Sequence, residues 1–326
     1  MYIIFIFIIF GALALGIGAE MIVRSSINLA NIYKVSGYFI GFTIVALGTS
    51  LPELASTIQA LRVVESLGIA FGNIIGSNIA NILLILGVIS IICPIIFPER
   101  SEQKNQTLVV LFITLISAFI FYYISSNNIV NSVPFGILLI LLLIGFLLWQ
   151  YKVESQELTE INSSYNYSQI LSYVILFFGL IFLYFGSKYF IIGSKMMAEH
   201  FKISEAIIGL TLVAFGTSLP ELATGVAAAI RKQTNLALGT ILGSNIYNIV
   251  GIFAIILFLK PANLNLTSET LILNFVIMIL VTFIFVYKVR FGLKIINLEP
   301  FRLGRNSGII FLTLYAIYIF YNFVNI

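Results

Sequence analysis

Long apolar stretches alternate with short polar breaks along the whole chain. Ten apolar stretches stand out, at about residues 2–23, 37–62, 68–93, 106–124, 133–150, 169–193, 205–230, 236–259, 269–287 and 307–324. Each has the length of a helix that crosses a bilayer, which needs roughly 17 to 25 residues. Ten such spans and their connections use nearly all of the 326 residues. We therefore expect no separate soluble domain.

The composition of the chain excludes several classes of function. The chain is 60% hydrophobic and only 9% charged, whereas a soluble domain carries roughly 25% charged residues. One cysteine, Cys93, and one histidine, His200, exclude a disulfide framework and a Cys/His metal site, so no cofactor is expected. The net charge of +4 is typical of basic loops beside a membrane and does not indicate a nucleic-acid partner.

The two halves of the chain repeat each other. Residues 40–60 and 208–228 are identical at 14 of 21 positions, and GNIIGSNIANI from Gly72 matches GTILGSNIYNI from Gly239. A polar stretch separates the halves. We therefore predict three parts: a first five-helix repeat at 1–150, a cytoplasmic linker at 151–168 and a second five-helix repeat at 169–326.

The number of spans in each half sets the topology. Because five is odd, the second half enters the membrane from the opposite side, so the repeats are inverted. The chain is thus predicted to be an all-α membrane protein of ten transmembrane helices in two inverted five-helix repeats. Five basic residues fall on the amino-terminal side and 12 on the other, which predicts that both termini lie outside a prokaryotic plasma (inner) membrane.

Two acidic residues lie in the middle of predicted spans. All 13 acidic residues are glutamates; most lie in loops or at span ends, and Glu20 has Arg24 one helical turn away. Glu53 and Glu221 instead occupy equivalent mid-span positions, where a charge costs about 2.5 to 3.5 kcal/mol on insertion scales. A packing hydrogen bond could explain one such residue. Two equivalent residues point to a function.

Each of these glutamates ends the hexapeptide GTSLPE, at 48–53 and 216–221. Pro52 and Pro220 remove a backbone donor and free the carbonyl one turn earlier. With the flexible Gly48 and Gly216, they predict that helices 2 and 7 break here. Broken backbone in a membrane is tolerated where it lines a cavity, and freed carbonyls beside a carboxylate suit a hard cation.

The second repeated block supplies further oxygens. The four-residue spacing places Ser77 and Asn81 on one helix face, and likewise Ser244 and Asn248. We expect both faces to look at the broken helices. Two carboxylates neutralise one divalent ion, and hydroxyl, amide and backbone oxygens can complete the six to eight ligands that Ca²⁺ takes. The Gly-x-x-x-Gly pattern from Gly72 and Gly239 predicts close helix packing.

The paired GTSLPE and GSN blocks resemble the two alpha-repeats of the calcium/cation antiporter superfamily, most closely the prokaryotic sodium/calcium exchangers. The resemblance implies electrogenic antiport of Na⁺ and Ca²⁺ by alternating access, with the first and sixth helices as a sliding gate. It implies that Glu53 and Glu221 chelate Ca²⁺. It further implies that Thr49 and Thr217 contribute main-chain oxygens, that Asn81 lines the centre, and that sodium sites use Ser50, Ser77, Ser218, Ser244, Ala46 and Ala214.

Asn248 departs from the pattern, because some archaeal and potassium-dependent members of the superfamily carry aspartate there. The chain contains no aspartate. We therefore expect exchange that does not need potassium, with Asn248 as a neutral ligand. We also expect a monomer whose partners are the two ions and membrane lipid.

Other functions fit parts of this pattern. An exchanger of H⁺ for Ca²⁺ or another divalent cation such as manganese, or one with sodium/proton chemistry, could use the same oxygens. A cation channel is a different class, since repeats and broken helices also build pores. An intramembrane enzyme is disfavoured because the chain has no metalloprotease motif or nucleophile–base motif.

Overall fold

The computed structural model describes residues 2–62, 66–97, 102–126, 132–154, 166–200, 214–259, 269–292 and 300–324. These residues form ten helical segments, numbered here in chain order. They are α1 (Tyr2–Tyr33), α2 (Gly37–Arg62), α3 (Leu67–Ile92), α4 (Glu102–Ser126), α5 (Val133–Glu154), α6 (Gln169–His200), α7 (Ala214–Thr217 and Leu219–Ile230), α8 (Thr234–Leu259), α9 (Glu269–Phe291) and α10 (Arg305–Val324).

The described residues confirm a helical membrane protein. Eight of their helices are long and apolar enough to cross a bilayer, and Leu219–Ile230 is a shorter apolar helix. Large apolar side chains cover the outer faces of these helices, as is required where lipid replaces water. The prediction of purely helical structure misses one detail: Ile95–Ile96 pairs antiparallel with Arg302–Leu303 as a two-stranded ribbon.

Several helix ends follow from local capping, and one differs from the prediction. Ser36 and Ser66 precede α2 and α3 and accept hydrogen bonds from the backbone N–H groups three residues later, as N-cap side chains do. The first span was predicted to end at residue 23, but α1 continues to Tyr33. It continues because its polar residues Ser25 and Asn28 are buried and hydrogen-bonded.

The second repeat is described in part. Helix α6 extends to His200, beyond the predicted end at 193. Residues 205–213 of the predicted seventh span, and 155–165 of the predicted linker, lie outside the described residues.

Helices α3 and α8 form the centre of the molecule. In their most apolar stretches 78% and 83% of residues are buried, more than in the other candidate spans of the described chain. The backbones of α2 and α8 approach each other closely. A Cβ on Gly239 would lie 2.2 Å from the Tyr38 carbonyl oxygen, and one on Gly243 would lie 2.6 Å from that of Phe42. Close packing therefore explains these two glycines but not Gly72, where a Cβ would meet nothing within 4 Å.

Helices α1 and α6 lie against each other along a face of small residues. A Cβ on Gly11 would lie 2.5 Å from the Phe190 nitrogen, and one on Gly186 would lie 2.7 Å from the Leu15 nitrogen. Glu20 of α1 accepts hydrogen bonds from Arg24, as predicted, and from Arg231, which directly follows α7. This ion pair joins α1 to the end of α7.

Candidate cation-binding site

Helices α2 and α7 are interrupted at the predicted hexapeptide. Each interruption is a single residue, Ser50 with φ −82° and ψ 0°, and Ser218 with φ −87° and ψ 4°. Gly48 and Gly216 lie two residues earlier, inside helical turns. The predicted break is therefore a one-residue interruption at the serine and not at the glycine.

The glycines serve packing. A Cβ on Gly48 would lie 2.6 Å from a methyl carbon of Leu180, and one on Gly216 would lie 2.4 Å from Ile191 Cδ1. Both glycines therefore let α6 approach the interrupted helices.

One freed carbonyl is satisfied by a neighbouring helix. Pro220 has no N–H to offer the Gly216 carbonyl oxygen one turn earlier. Ser187 Oγ of α6 donates to this oxygen at 2.6 Å instead. The repeat counterpart of Ser187 is Ala19, which has no hydroxyl, so this contact exists in one repeat alone.

Glu53 and Glu221 lie in the first turns of the half-helices that follow the interruptions, and both are fully buried. The partial positive charge of a helix N-terminus favours a carboxylate at this position. Ser77 Oγ of α3 donates to Glu53 Oε1 at 3.2 Å, and Ser244 Oγ of α8 donates to Glu221 Oε1 at 3.2 Å. Equivalent serines thus orient the two carboxylates.

The four site serines also link the two repeats. Ser50 Oγ donates to Ser244 Oγ at 3.0 Å, and the equivalent pair, Ser77 and Ser218, joins at 3.1 Å. Each carboxylate is therefore connected through a serine of its own repeat to the interruption of the other repeat. This arrangement brings α2, α3, α7 and α8 together around one cluster.

Four buried asparagines close the cluster between α3 and α8. Asn81 Nδ2 donates to Asn245 Oδ1 at 2.9 Å, and Asn248 Nδ2 donates to Asn78 Oδ1 at 3.3 Å. The same amide nitrogens also donate to serines of the opposite helix, Asn81 to Ser244 at 3.2 Å and Asn248 to Ser77 at 3.3 Å. Each of these contacts therefore has an equivalent in the other repeat.

Four oxygen atoms of the cluster have no hydrogen-bond donor among the described residues, although all are buried. They are Glu53 Oε2, Glu221 Oε2, Asn81 Oδ1 and Asn248 Oδ1. Buried acceptors are normally paired, since an unpaired one costs about 1 to 3 kcal/mol. Carboxylate and amide oxygens are ligands that hard cations take.

The remaining predicted residues are threonines and alanines of the two interrupted helices. Thr49 and Thr217 are buried, and Thr49 Oγ1 donates to the Ala46 carbonyl at 3.3 Å. Ala46 is also fully buried. Ala214 begins the described part of α7, but its side chain lies outside the described residues. The structure thus brings the predicted glutamates, serines and threonines together with Asn81 and Asn248.

An apolar cavity borders the cluster. It has a volume of about 260 Å³ and lies between α2 and α6, where Thr49, Pro52 and Pro220 form part of its wall together with Leu180 and Tyr184. Its lining lacks the carboxylates, so the cavity is a neighbour of the cluster and not a polar binding pocket.

Sequence reasoning did not single out Asn73 or Ser187. Asn73 occurs at the same four-residue spacing as Ser77 and Asn81, which was an available signal. No such signal existed for Ser187. The π-helical turns that begin at Asn81 and Tyr247 also had no sequence signal; such turns are frequent at functional sites.

Comparison with known proteins identifies relatives over nearly the whole chain. The family model described as sodium/calcium exchanger protein matches residues 3–152 and 171–324. An uncharacterized membrane protein of Methanocaldococcus jannaschii is 37% identical over 312 residues, covering 95% of each chain. The sodium/calcium exchanger MaX1 of Methanosarcina acetivorans is 29% identical, covering 86% of this chain and 91% of its own.

A solved structure has a similar fold. It is that of the sodium-calcium exchanger NCX_Mj soaked with 100 mM Na⁺ and 10 mM Sr²⁺, which superimposes with a TM-score of 0.80 at 33% identity and covers 98% of both chains.

Proposed function

Because this chain belongs to the sodium/calcium exchanger protein family, we propose that it exchanges Na⁺ for Ca²⁺ across the membrane by alternating access, with the transported cation bound between Glu53 and Glu221. The family is one of transporters, so the protein is not an enzyme. Na⁺ and Ca²⁺ are its substrates and no cofactor is required.

The observation that carries the proposal is the set of four buried oxygens that have no donor in the described part of the chain, two from the carboxylates and two from Asn81 and Asn248. In the cluster, serine hydroxyls already donate to one oxygen of each carboxylate. The second oxygens remain for an ion. No basic side chain is among the described hydrogen-bond partners of Glu53 and Glu221, so only a bound cation or a proton can neutralise them.

The type of ligand favours calcium over softer metals. Carboxylate, amide and carbonyl oxygens are the ligands of hard cations, and Ca²⁺ accepts six to eight of them in irregular geometry. Two carboxylates balance one Ca²⁺ or two Na⁺. Both ions would therefore compete for the same oxygens, which couples their movements.

We propose that the two halves, 1–150 and 169–326, are inverted repeats joined by the linker 151–168, with ten transmembrane helices in all. The family model matches each half separately, and each serine hydrogen bond of the site has an equivalent in the other repeat. An inverted pair can present one site to either side in turn. An empty site would leave two facing carboxylates poorly solvated, which would hinder switching and so enforce exchange.

The basic residues support an orientation with both termini outside a prokaryotic plasma membrane and the linker in the cytoplasm. A monomer is sufficient, since one chain supplies both carboxylates.

The test is uptake of radioactive calcium into proteoliposomes loaded with Na⁺. We expect uptake when the outside solution lacks Na⁺ and none when Na⁺ is equal on both sides. Uptake driven by a pH gradient and not by a Na⁺ gradient would show that protons, and not sodium ions, drive the exchange. Single-channel currents without countertransport would identify a channel and refute exchange.

A further inference from the structure

We infer that Asn73 is a positioning residue of the proposed cation site, which holds the Glu53 backbone and fixes the direction of the Thr217 hydroxyl. The inference rests on the proposed function because it concerns the same site. Asn73 lies in α3 one turn before Ser77 and is buried, with 7% exposure.

The amide of Asn73 contacts both interrupted helices. Its Nδ2 donates to the Glu53 carbonyl oxygen at 3.0 Å and to Thr57 Oγ1 at 3.1 Å, both in α2. Its Oδ1 accepts from Thr217 Oγ1 of α7 at 3.3 Å. One side chain thus connects the segment that carries Glu53 to the interruption of the other repeat.

Hydrogen-bond chemistry fixes the orientation of this amide. The Glu53 carbonyl oxygen can only accept, so the Asn73 nitrogen must face it. The Asn73 oxygen then faces Thr217, whose hydroxyl must donate. A flipped amide would place two oxygens against each other.

The described residues of the second repeat do not make the equivalent contacts. The counterpart of Asn73 is Thr240 of α8, whose hydroxyl donates to the Leu236 carbonyl of its own helix at 2.9 Å. The counterpart of Thr217 is Thr49, whose hydroxyl lies within reach of both the Ala46 carbonyl and the Glu221 carboxylate. The site is therefore asymmetric at this point, although the contacts of its serines and of Asn81 and Asn248 are symmetric.

The asymmetry has a consequence for cation binding. A hydroxyl has one hydrogen, so a Thr217 hydroxyl that donates to Asn73 does not donate to a carboxylate. Asn73 thereby engages the hydroxyl hydrogen of Thr217, while its contact with the Glu53 carbonyl holds the Glu53 backbone in place. We expect the Glu53 half of the site to be the better organised half for Ca²⁺.

The first experiment compares Asn73→Leu with the matched control Thr240→Val in proteoliposomes. Leucine keeps the size of asparagine and removes its hydrogen bonds. We expect the half-saturating Ca²⁺ concentration to rise about tenfold in Asn73→Leu, the size expected if one or two of the three lost hydrogen bonds act on the bound ion. The maximal rate should stay within about twofold. Thr240→Val should leave both values unchanged, since its hydroxyl serves only its own helix.

A double-mutant cycle with Thr217→Val tests the contact itself. Thr217→Val alone should also weaken Ca²⁺ binding, and adding it to Asn73→Leu should change the half-saturating concentration by less than about twofold further. Independent, multiplying effects would overturn the inference. An unchanged half-saturating concentration in Asn73→Leu would overturn it as well. If Asn73→Leu does not fold, Asn73→Thr, which copies the second repeat, replaces it in the cycle.

Calcium binding measured without transport separates this inference from the proposed function. The protection that Ca²⁺ gives against thermal unfolding reports binding at equilibrium. If the unmodified protein binds Ca²⁺ but shows no sodium-driven uptake, the exchange proposal fails. The double-mutant cycle is then measured by the rise in unfolding temperature that Ca²⁺ produces. If Asn73→Leu keeps full thermal protection by Ca²⁺, the inference fails while exchange stands.

Discussion

Replacing Glu53 with glutamine removes one buried negative charge from the proposed site while nearly keeping its shape. The glutamine carbonyl can still accept the hydrogen bond that Ser77 donates to Glu53 Oε1. Its amide group takes the place of Oε2, the oxygen that has no donor among the described residues. The substitution therefore tests the charge and the free oxygen together.

The expected loss of calcium affinity is large. Two unit charges about 4 Å apart interact by about 4 kcal/mol at an effective dielectric constant of about 20. A divalent ion in direct contact interacts more strongly, so we take about 4 kcal/mol as the lower bound. At 1.4 kcal/mol per factor of ten, the affinity for Ca²⁺ falls at least about a thousandfold. Sodium-driven calcium uptake should fall to the level of empty vesicles.

Stability should not fall with it. Glu53 is fully buried, and a neutral amide is cheaper to bury than a carboxylate. Without Ca²⁺ the variant should therefore unfold at the same temperature as the unmodified protein or at a higher one, and Ca²⁺ should no longer raise that temperature. Glu221→Gln should behave alike, because Ser244 donates to Glu221 as Ser77 donates to Glu53.

Glu20→Gln is the matched control. It removes the same charge at a position outside the cluster, where the side chain is 33% exposed and paired with arginines. Calcium uptake should persist in this variant. Uptake within tenfold of the unmodified protein in Glu53→Gln or Glu221→Gln would refute the assignment of the site.

Three further predictions follow from particular contacts. Gly239→Ala should reduce the yield of folded protein, because the added Cβ would lie 2.2 Å from a backbone oxygen. Gly72→Ala is the control, because a Cβ there would meet nothing within 4 Å. Size-exclusion chromatography should show a normal yield of folded protein for Gly72→Ala and a reduced one for Gly239→Ala. Ser187→Ala leaves the Gly216 carbonyl without its donor and should lower the free energy of unfolding by about 1 to 3 kcal/mol, measured by denaturant titration; an unchanged value would contradict that role. Because Asn248 is neutral, calcium uptake should be equal with and without potassium. An absolute potassium requirement would contradict this prediction.

Local features of the sequence determined the main elements of this protein. A helix that crosses a bilayer must be apolar for about 20 residues, so the spans are readable from composition along the chain. The repeated GTSLPE blocks located both interruptions, because proline acts on its own helix. The carboxylates stood out because charge is rare in the middle of an apolar span.

Only the tertiary structure decided which atoms meet. Ser77 and Ser218 are in contact across 141 residues of chain, and no local pattern specifies such a pair. The length of α1 also depends on tertiary contacts, because Asn28 is buried against Ser172 of α6.

Asn73 shows both what the local sequence indicates and what only the tertiary structure decides. Its four-residue spacing from Ser77 is written in the sequence, but its hydrogen bond to Thr217 joins residues of the two repeats that lie 144 positions apart. Side-chain periodicity reports which face of a helix a residue occupies. Which partner that face meets depends on how the helices pack, and packing is a property of the whole chain.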